Sequence, residues 1–208
     1  MRAEAQITDP ADGIDTTERE RLRRRGLGLE AATLAWNVVG VVVLALAAIA
    51  ARSVALAGFG LDSLIEVGAS VVVIWELSGT GGDRQERALR LIGGAFAALA
   101  LYLTAQSSWI LATGYHAHHS VVGMLWTGVT AATMFGLAYG KGITGRALQN
   151  PVLSTEARVT VIDGILAVTV LLGLALNAIA GWWWADPAAA LVLVLYAVRE
   201  VRATILGS

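Results

Sequence analysis

Long apolar segments separated by short polar ones dominate the pattern of this chain. Six such segments can be marked, at about 27–50, 54–77, 89–112, 120–140, 157–181 and 186–202. An α helix rises about 1.5 Å per residue, so about 20 apolar residues cross a hydrocarbon core roughly 30 Å thick. The pattern therefore predicts an all-α membrane protein with six transmembrane helices joined by short connections.

Basic residues fall on alternate sides of these predicted helices, and the opposite loops hold almost only Arg52. They lie before the first segment, between the second and third, between the fourth and fifth, and after the sixth: Arg19, Arg21, Arg23, Arg24, Arg25, Arg84, Arg87, Arg90, Lys141, Arg146, Arg158, Arg199 and Arg202. Because cytoplasmic loops of membrane proteins are rich in Lys and Arg, we expect both termini in the cytoplasm.

Polar segments flank the predicted membrane domain, 27–202. Residues 1–17 have no hydrophobic period and predict a disordered polar arm. Residues 18–26 predict a basic juxtamembrane helix, which we expect to contact anionic lipid and not nucleic acid because it adjoins a membrane helix. Residues 203–208 form a short tail, and no cleavable signal peptide is apparent.

Composition narrows the function further. The chain has 208 residues, of which 56% are hydrophobic and 15% charged, too apolar for an ordinary soluble domain. Cysteine is absent, so a bound metal must be held by oxygen or imidazole. The sequence offers no Ser/His/Asp set, HExxH motif or nucleotide-binding loop, so we do not expect an enzyme. Arg outnumbers Lys, with abundant Ala and Gly, which is typical of a GC-rich bacterial gene. Together with the predicted membrane helices, this leads us to expect a location in the bacterial inner membrane.

Two acids, Asp62 and Glu66, share one face of the predicted second helix. Each carboxylate near the bilayer centre costs about 2.5–3.5 kcal/mol on insertion scales. Glu66 is expected roughly 12–15 Å from the cytoplasmic edge and Asp163, in the fifth helix, roughly 8 Å. These depths agree within the uncertainty of the helix ends, so we expect the three acids to meet between the second and fifth helices.

Three carboxylates with little positive charge nearby predict a site completed by a mobile cation or by protons. A divalent ion would neutralise much of their repulsion, and without it protons would take its place. Competition of this kind is the physical basis of proton-coupled antiport. The alternative is that each acid is neutral, or satisfied by Asn37, Ser63, Ser70 or a backbone carbonyl.

Other polar residues are weaker candidates for a site. Glu156 lies two helical turns before Asp163 on the same face and is expected to guide the ion from the cytoplasm. Asn37 of the first helix is a candidate accessory ligand. The weakest candidates are three outer-loop histidines, since imidazole is a common metal ligand but surface histidines without acids are more often incidental: His116, His118 and His119.

Several residues are expected to serve structure instead. Glu30, beside the arginine cluster, predicts a salt bridge with it. Asp186 and Pro187 have the residue types favoured at the N-cap and first position of a helix, and predict the start of the sixth helix. Small residues spaced four apart in the fourth helix predict close helix packing: Gly128, Ala132, Gly136 and Gly140.

Two segments resemble the second and fifth membrane helices of the cation diffusion facilitator family. RSVALAGFGLDSLIEVGASVVV places Asp62 and Glu66 on the Asp-x-x-x-Asp ligand pair of that family. TEARVTVIDGIL places Glu156 and Asp163 on the first and last positions of its second motif, with Val159 where a His or Asp ligand would be. The six-helix plan is similar too, so the resemblance covers roughly 27–202.

The resemblance implies a transporter that exports a divalent transition metal in exchange for protons by alternating access. Asp62, Glu66 and Asp163 would bind the ion, and Glu156, Asn37 or water would supply the fourth ligand. Without a ligand at Val159 the site is mainly carboxylate, which weakens the case for zinc and opens manganese, iron or cobalt as alternatives. The sequence does not decide among these four ions.

Family members usually continue into a cytoplasmic dimerising domain, whereas this sequence stops just past the sixth predicted helix. We therefore expect a short member that forms a homodimer through its membrane helices or its N-terminal arm. The glycine face of the fourth helix is a candidate surface. The alternative is a membrane metal sensor or interaction partner that kept the fold without transport. A transporter of organic cations would differ in not being inhibited by divalent metals.

Overall fold

The regular secondary structure of the described part of the chain is all helical. The structure is a computed structural model that describes residues 16–77, 82–149 and 151–205. These ranges contain six helices and no strand: α1 (Thr16–Ala51), α2 (Val54–Leu77), α3 (Gly82–Thr113), α4 (Val121–Ala147), α5 (Pro151–Ala180) and α6 (Ala185–Ile205). The predicted all-α fold is confirmed. Most of the predicted N-terminal arm and the end of the predicted tail lie outside the described residues.

Four of these helices, α1, α3, α4 and α5, are long and apolar enough to cross a membrane. In α2 and α6 the described side chains run without a break only over 54–68 and 185–199. Each run is shorter than 18 residues, so neither helix is included in these four. Large apolar side chains cover the outside, with Ile49, Leu101 and Leu195 between 72% and 76% exposed. An apolar surface of this kind is stable in lipid and not in water, so the chain has the architecture of a membrane protein.

The helices form a bundle in which two pairs pack most extensively, α4 with α5 and α3 with α6. α1 contacts both α2 and α4, and α2 also reaches α5. Fully buried apolar side chains fill the space between the helices: Leu44, Leu56, Leu103, Val170 and Leu193. The packing therefore brings α1, α2, α4 and α5 together around the polar residues of the interior.

Asp186 ties the start of α6 to the start of α2. Its carboxylate accepts hydrogen bonds from the Ser53 hydroxyl and, at 3.0 Å, from the Val54 backbone N–H. Since α6 begins at Ala185, the predicted N-cap role of Asp186 in its own helix is wrong. The side chain instead satisfies a backbone N–H at the first turn of α2, where such groups have no partner within the helix.

The small residues of α4 pack closely at two of their four positions. A Cβ added to Gly140 would lie 3.1 Å from Leu29 of α1, and one added to Gly128 would lie 3.7 Å from Leu171 of α5. Ala132 and Gly136, between them, are exposed. The predicted role in packing is confirmed at Gly128 and Gly140, and the middle of the stripe lies on the outer surface.

Candidate metal site

Three acids from two helices converge in the interior of the bundle. Asp62 and Glu66 lie one turn apart on α2, and the contact between α2 and α5 brings Asp163 to the same point. One carboxylate oxygen of each residue lies within 4.8 Å of the others. Asp62 and Asp163 are buried and Glu66 is half-buried. The structure thus brings these three residues, here called the acid triad, together as the sequence predicts.

The three carboxylates of the acid triad are close enough together to be candidate ligands of a single metal ion. Bonds from metal ions to oxygen are about 2.0–2.6 Å long, so two oxygens on one ion lie at most about 5 Å apart. Among the described residues no further His, Cys, Asp or Glu joins the three acids in this group. A bound ion would therefore take three carboxylates from the protein and complete its coordination with an amide oxygen or water.

Asn37 connects α1 to the acid triad. Its side-chain Nδ2 donates a hydrogen bond of 2.9 Å to Glu66 Oε2, and the side chain is only 5% exposed. One oxygen of Glu66 is therefore satisfied by Asn37, as the non-metal alternative requires. The other oxygen, Oε1, and Asp163 Oδ1 are buried and accept no hydrogen bond from the described part of the chain. Ser70, also considered in that alternative, lies outside the described side chains.

The unsatisfied oxygens of Glu66 and Asp163 are costly in a buried position. A buried polar atom without a hydrogen-bond partner costs about 1–3 kcal/mol, and a charged group costs more. Either a cation or protons shared between the carboxylates would remove this cost. The acid triad is therefore a candidate site for a cation or for shared protons.

Lys141 lies near this site, although the sequence pattern predicted it between the fourth and fifth helices. It lies within α4, not in a loop, and its side chain is fully buried. Its Nζ donates to Glu30 Oε2 at 3.0 Å and to Thr160 Oγ1 at 3.2 Å. The predicted salt bridge of Glu30 exists, but its partner is Lys141 of α4 and not the arginine cluster of α1.

A signal for this placement does exist in the sequence. Lys141 stands between Gly140 and Gly142, at the end of the small-residue stripe of α4. Gly140 lets Leu29 of α1 come close, and Gly142 lets Ala157 of α5 come close. Neighbouring helices at these two positions enclose the lysine between them. The charge ended the apolar segment in the sequence pattern, although α4 continues to Ala147.

Glu156 and Val159 both lie on α5, and Glu156 is near the buried lysine. The Glu156 side chain is half-buried and close enough to Glu30 and Lys141 to interact with both electrostatically. It does not belong to the group of three acids within 4.8 Å. Val159 is half-buried and brings no ligand atom. The predicted guiding role of Glu156 stays a prediction. Besides Glu30 and Lys141, its carboxylate is close enough to interact electrostatically with Glu66 and Asp163.

The three histidines, which lie between α3 and α4, are exposed. The His116 ring stacks on Trp183 with centroids 5.4 Å apart. The backbone N–H of His118 donates to the Ala51 carbonyl at 2.8 Å, which holds the loop against the end of α1. Among the described residues neither these side chains nor that of His119 belongs to a group of three metal ligands. Metal capture by the loop stays a prediction.

Comparison with known proteins found no family model that matches the chain and no curated protein that is similar to it. The resemblance to cation diffusion facilitators therefore rests on the two motifs that hold the acid triad. Those motifs lie on α2 and α5, the helices that the structure brings into contact.

Proposed function

We propose that the protein is a divalent transition-metal transporter of the bacterial inner membrane, with the acid triad as its ion-binding site. The observation that carries this proposal is the set of carboxylate oxygens from α2 and α5 within 4.8 Å of one another. Two of these residues, Glu66 and Asp163, each keep a buried oxygen without a donor among the described residues. A cation bound among them would satisfy both oxygens, and the resemblance to cation diffusion facilitators agrees with this chemistry.

In the proposed topology all six helices cross the membrane and both termini are cytoplasmic. Four helices have the length and composition to do so. α2 and α6 pack within the same bundle, against α1 and α3 respectively. The start of α1, the end of α4 and the start of α5 then lie on the cytoplasmic side, together with the basic residues that favour that side.

Transport would require the acid triad to face each side of the membrane in turn. The two most extensive helix contacts, α4 with α5 and α3 with α6, suggest units that stay intact while others move relative to them. The triad draws its residues from α2 and α5, whose mutual contact is much smaller. A change in that contact would alter access to the ion, as alternating access requires.

The donor set favours hard divalent ions. Carboxylates and an amide are oxygen ligands, which suit manganese and other hard ions better than the thiolate and imidazole sets of zinc. We therefore propose manganese, iron or cobalt before zinc as the exported ion. Protons that replace the ion on the carboxylates would provide the coupling, because metal and proton compete for the same oxygens.

Proteoliposomes with a pH gradient and a metal-sensitive dye inside test the proposal. We expect gradient-driven movement of Mn²⁺ by the native chain and its loss in a Asp62→Asn, Asp163→Asn double variant, which keeps side-chain size. Glu18→Gln, at an exposed acid in the first turn of α1, is the matched control. Unchanged flux in the double variant would refute the site. Metal binding without flux in the native chain would favour the sensor alternative. Transport of an organic cation that Mn²⁺ does not inhibit, with no transport of Mn²⁺ itself, would favour a transporter of organic cations.

A further inference from the structure

Lys141 places a fully buried positive charge between three helices. Its ammonium bridges α1, through Glu30, and α5, through Thr160. Among the described side chains it is the one basic residue that is buried. A buried charge is stabilised only when it is paired and hydrogen-bonded, and a pair of this kind contributes little net stability. Structural need alone therefore does not account for the lysine.

The bridge lies between the acid triad and one end of the bundle. This end, here called the arginine end, is formed by the start of α1, the end of α4 and the start of α5. On α1, Glu30 precedes Asn37 by two helical turns, and Asn37 binds Glu66. On α5, Thr160 precedes Asp163 by about one turn. The helices that hold the bridge thus also hold the site, and the bridge joins them on the arginine-end side.

The two partners of the ion pair differ in exposure. The Lys141 side chain is 0% exposed, whereas the Glu30 side chain is 36% exposed and reaches the surface. Glu30 also keeps one oxygen, Oε1, that is itself buried and accepts no hydrogen bond from the described residues. A cation that approaches from the arginine end therefore meets the Glu30 side chain before the acid triad, and Oε1 has no hydrogen bond to give up when it binds the ion.

We propose that Lys141 is a gating residue of the proposed transporter, which closes the approach to the acid triad from the arginine end. Its ammonium holds α1, α4 and α5 together through Glu30 and Thr160. An incoming divalent ion binds Glu30, displaces the ammonium from that carboxylate and so releases α1 from α4. The proposal rests on the proposed function for the identity of the ion, but the closure itself is a property of the helices.

A single thiol between the bridge and the acid triad reports on this closure. Thr33 lies on α1 between Glu30 and Asn37 and is 8% exposed, and the chain has no cysteine of its own. Thr33→Cys therefore gives one buried reactive group in the full-length chain. Its rate of reaction with a small, charged methanethiosulfonate reagent measures how often the approach opens.

Removal of the lysine is expected to raise this rate. In Thr33→Cys, Lys141→Met the reaction should be about tenfold faster, because opening no longer separates a buried ion pair. Lys141→Arg should restore a slow rate. Arg146→Met is the matched control, because it removes one charge from an exposed residue in the last turn of α4. Equal rates with Met at position 141 and in the unsubstituted Thr33→Cys protein would overturn the proposal.

A second variant covers the case in which Lys141→Met does not fold, which circular dichroism and gel filtration would reveal. Glu30→Gln, Lys141→Met removes both charges and leaves no lone buried charge, and it should react as fast as the single variant.

Mn²⁺ added to the Thr33→Cys protein without further substitutions should also speed the reaction. Mn²⁺ prefers oxygen ligands, so it is not expected to block the thiol. Binding of Mn²⁺ without any acceleration would overturn the gate. Acceleration by lysine removal in a protein that binds no divalent metal would overturn the proposed function and leave the gate.

Discussion

Asn37 in α1 donates a hydrogen bond of 2.9 Å to Glu66 in α2, so a helix that contributes no acid to the triad orients one of its carboxylates. Groups that orient metal ligands in this way are typically worth about 10–100-fold in metal affinity. We therefore expect Asn37→Ala to weaken Mn²⁺ binding by about that factor. Isothermal titration of the purified chain with Mn²⁺ measures it.

Asn177 provides the control for this prediction. It is also an amide residue with 5% exposure, and it donates to the Ala117 carbonyl in the loop between α3 and α4. Asn177→Ala should lower thermal stability and leave the Mn²⁺ affinity unchanged. A similar loss of affinity in both variants would mean that Asn37 acts through the fold and not through Glu66.

Metal binding to the acid triad should release protons. Where the carboxylates hold protons in the absence of metal, an ion must displace them, so affinity falls as pH falls and rises as pH rises. We expect the Kd for Mn²⁺ to increase with acidification and the number of protons released to be smaller in Asp163→Asn than in the native chain. Titration in two buffers of different ionisation enthalpy gives that number. A Kd independent of pH would exclude competition between proton and metal.

A histidine at position 159 should shift the metal preference. Val159 lies one turn before Asp163 on α5 and is half-buried, without a ligand atom. Val159→His adds an imidazole, which suits zinc better than manganese. We expect the ratio of Zn²⁺ to Mn²⁺ affinity to rise about tenfold or more, as one added ligand bond permits. Val159→Leu, which adds volume and no ligand, should leave the ratio unchanged, and the same rise in both variants would contradict the prediction.

The acid triad could be predicted because its signal is local. Asp62 and Glu66 stand out in an apolar segment, and the depth of Asp163 follows from counting residues along its helix. The partner of Glu30 could not be predicted, because Lys141 is 111 residues away and its burial depends on how closely α1 and α5 approach α4. A lysine at the end of an apolar segment looks like a loop residue until that packing is known.

Asp186 is a second residue whose long-range partner could not be predicted from the local sequence. Its residue type and the following Pro187 predicted a helix start, and α6 does begin next to it, at Ala185. The carboxylate, however, binds the start of α2, 132 residues earlier in the chain. Local preference indicated the place of the turn, whereas the hydrogen-bond partner was decided by the packing of α2 against α6.

Loss of the Asp186 carboxylate should destabilise the fold without changing the site. Asp186→Ala leaves the Ser53 hydroxyl and the Val54 N–H without their acceptor in a buried position. An unsatisfied buried group costs about 1–3 kcal/mol, so the free energy of unfolding should fall by about that amount or more. Thermal unfolding followed by circular dichroism measures the loss. Asp186→Asn, which keeps an acceptor oxygen, should recover part of it, and the Mn²⁺ affinity should be unchanged in both variants.

Two glycine substitutions distinguish packing positions from free surface. A Cβ added to Gly173 of α5 would lie 2.8 Å from Ala189 Cβ and 2.9 Å from the Ala185 backbone oxygen of α6. Since backbone cannot move aside as a side chain can, we expect Gly173→Ala to destabilise the protein by about 1–3 kcal/mol. Gly136→Ala is the control, because nothing lies within 4 Å of its added Cβ and alanine favours a helix by up to about 1 kcal/mol.

The same control also tests the predicted dimer surface on α4. Gly136→Ala should leave the thermal stability of the chain equal or slightly raised. The bulkier Gly136→Leu should leave it unchanged as well if that surface faces lipid. In a homodimer packed through this face, Gly136→Leu would separate the two copies, because small residues allow helices to approach closely. Cross-linking in the membrane and mass measurement in detergent distinguish these results. An unchanged oligomeric state with Leu at position 136 would exclude the glycine face of α4 as the contact.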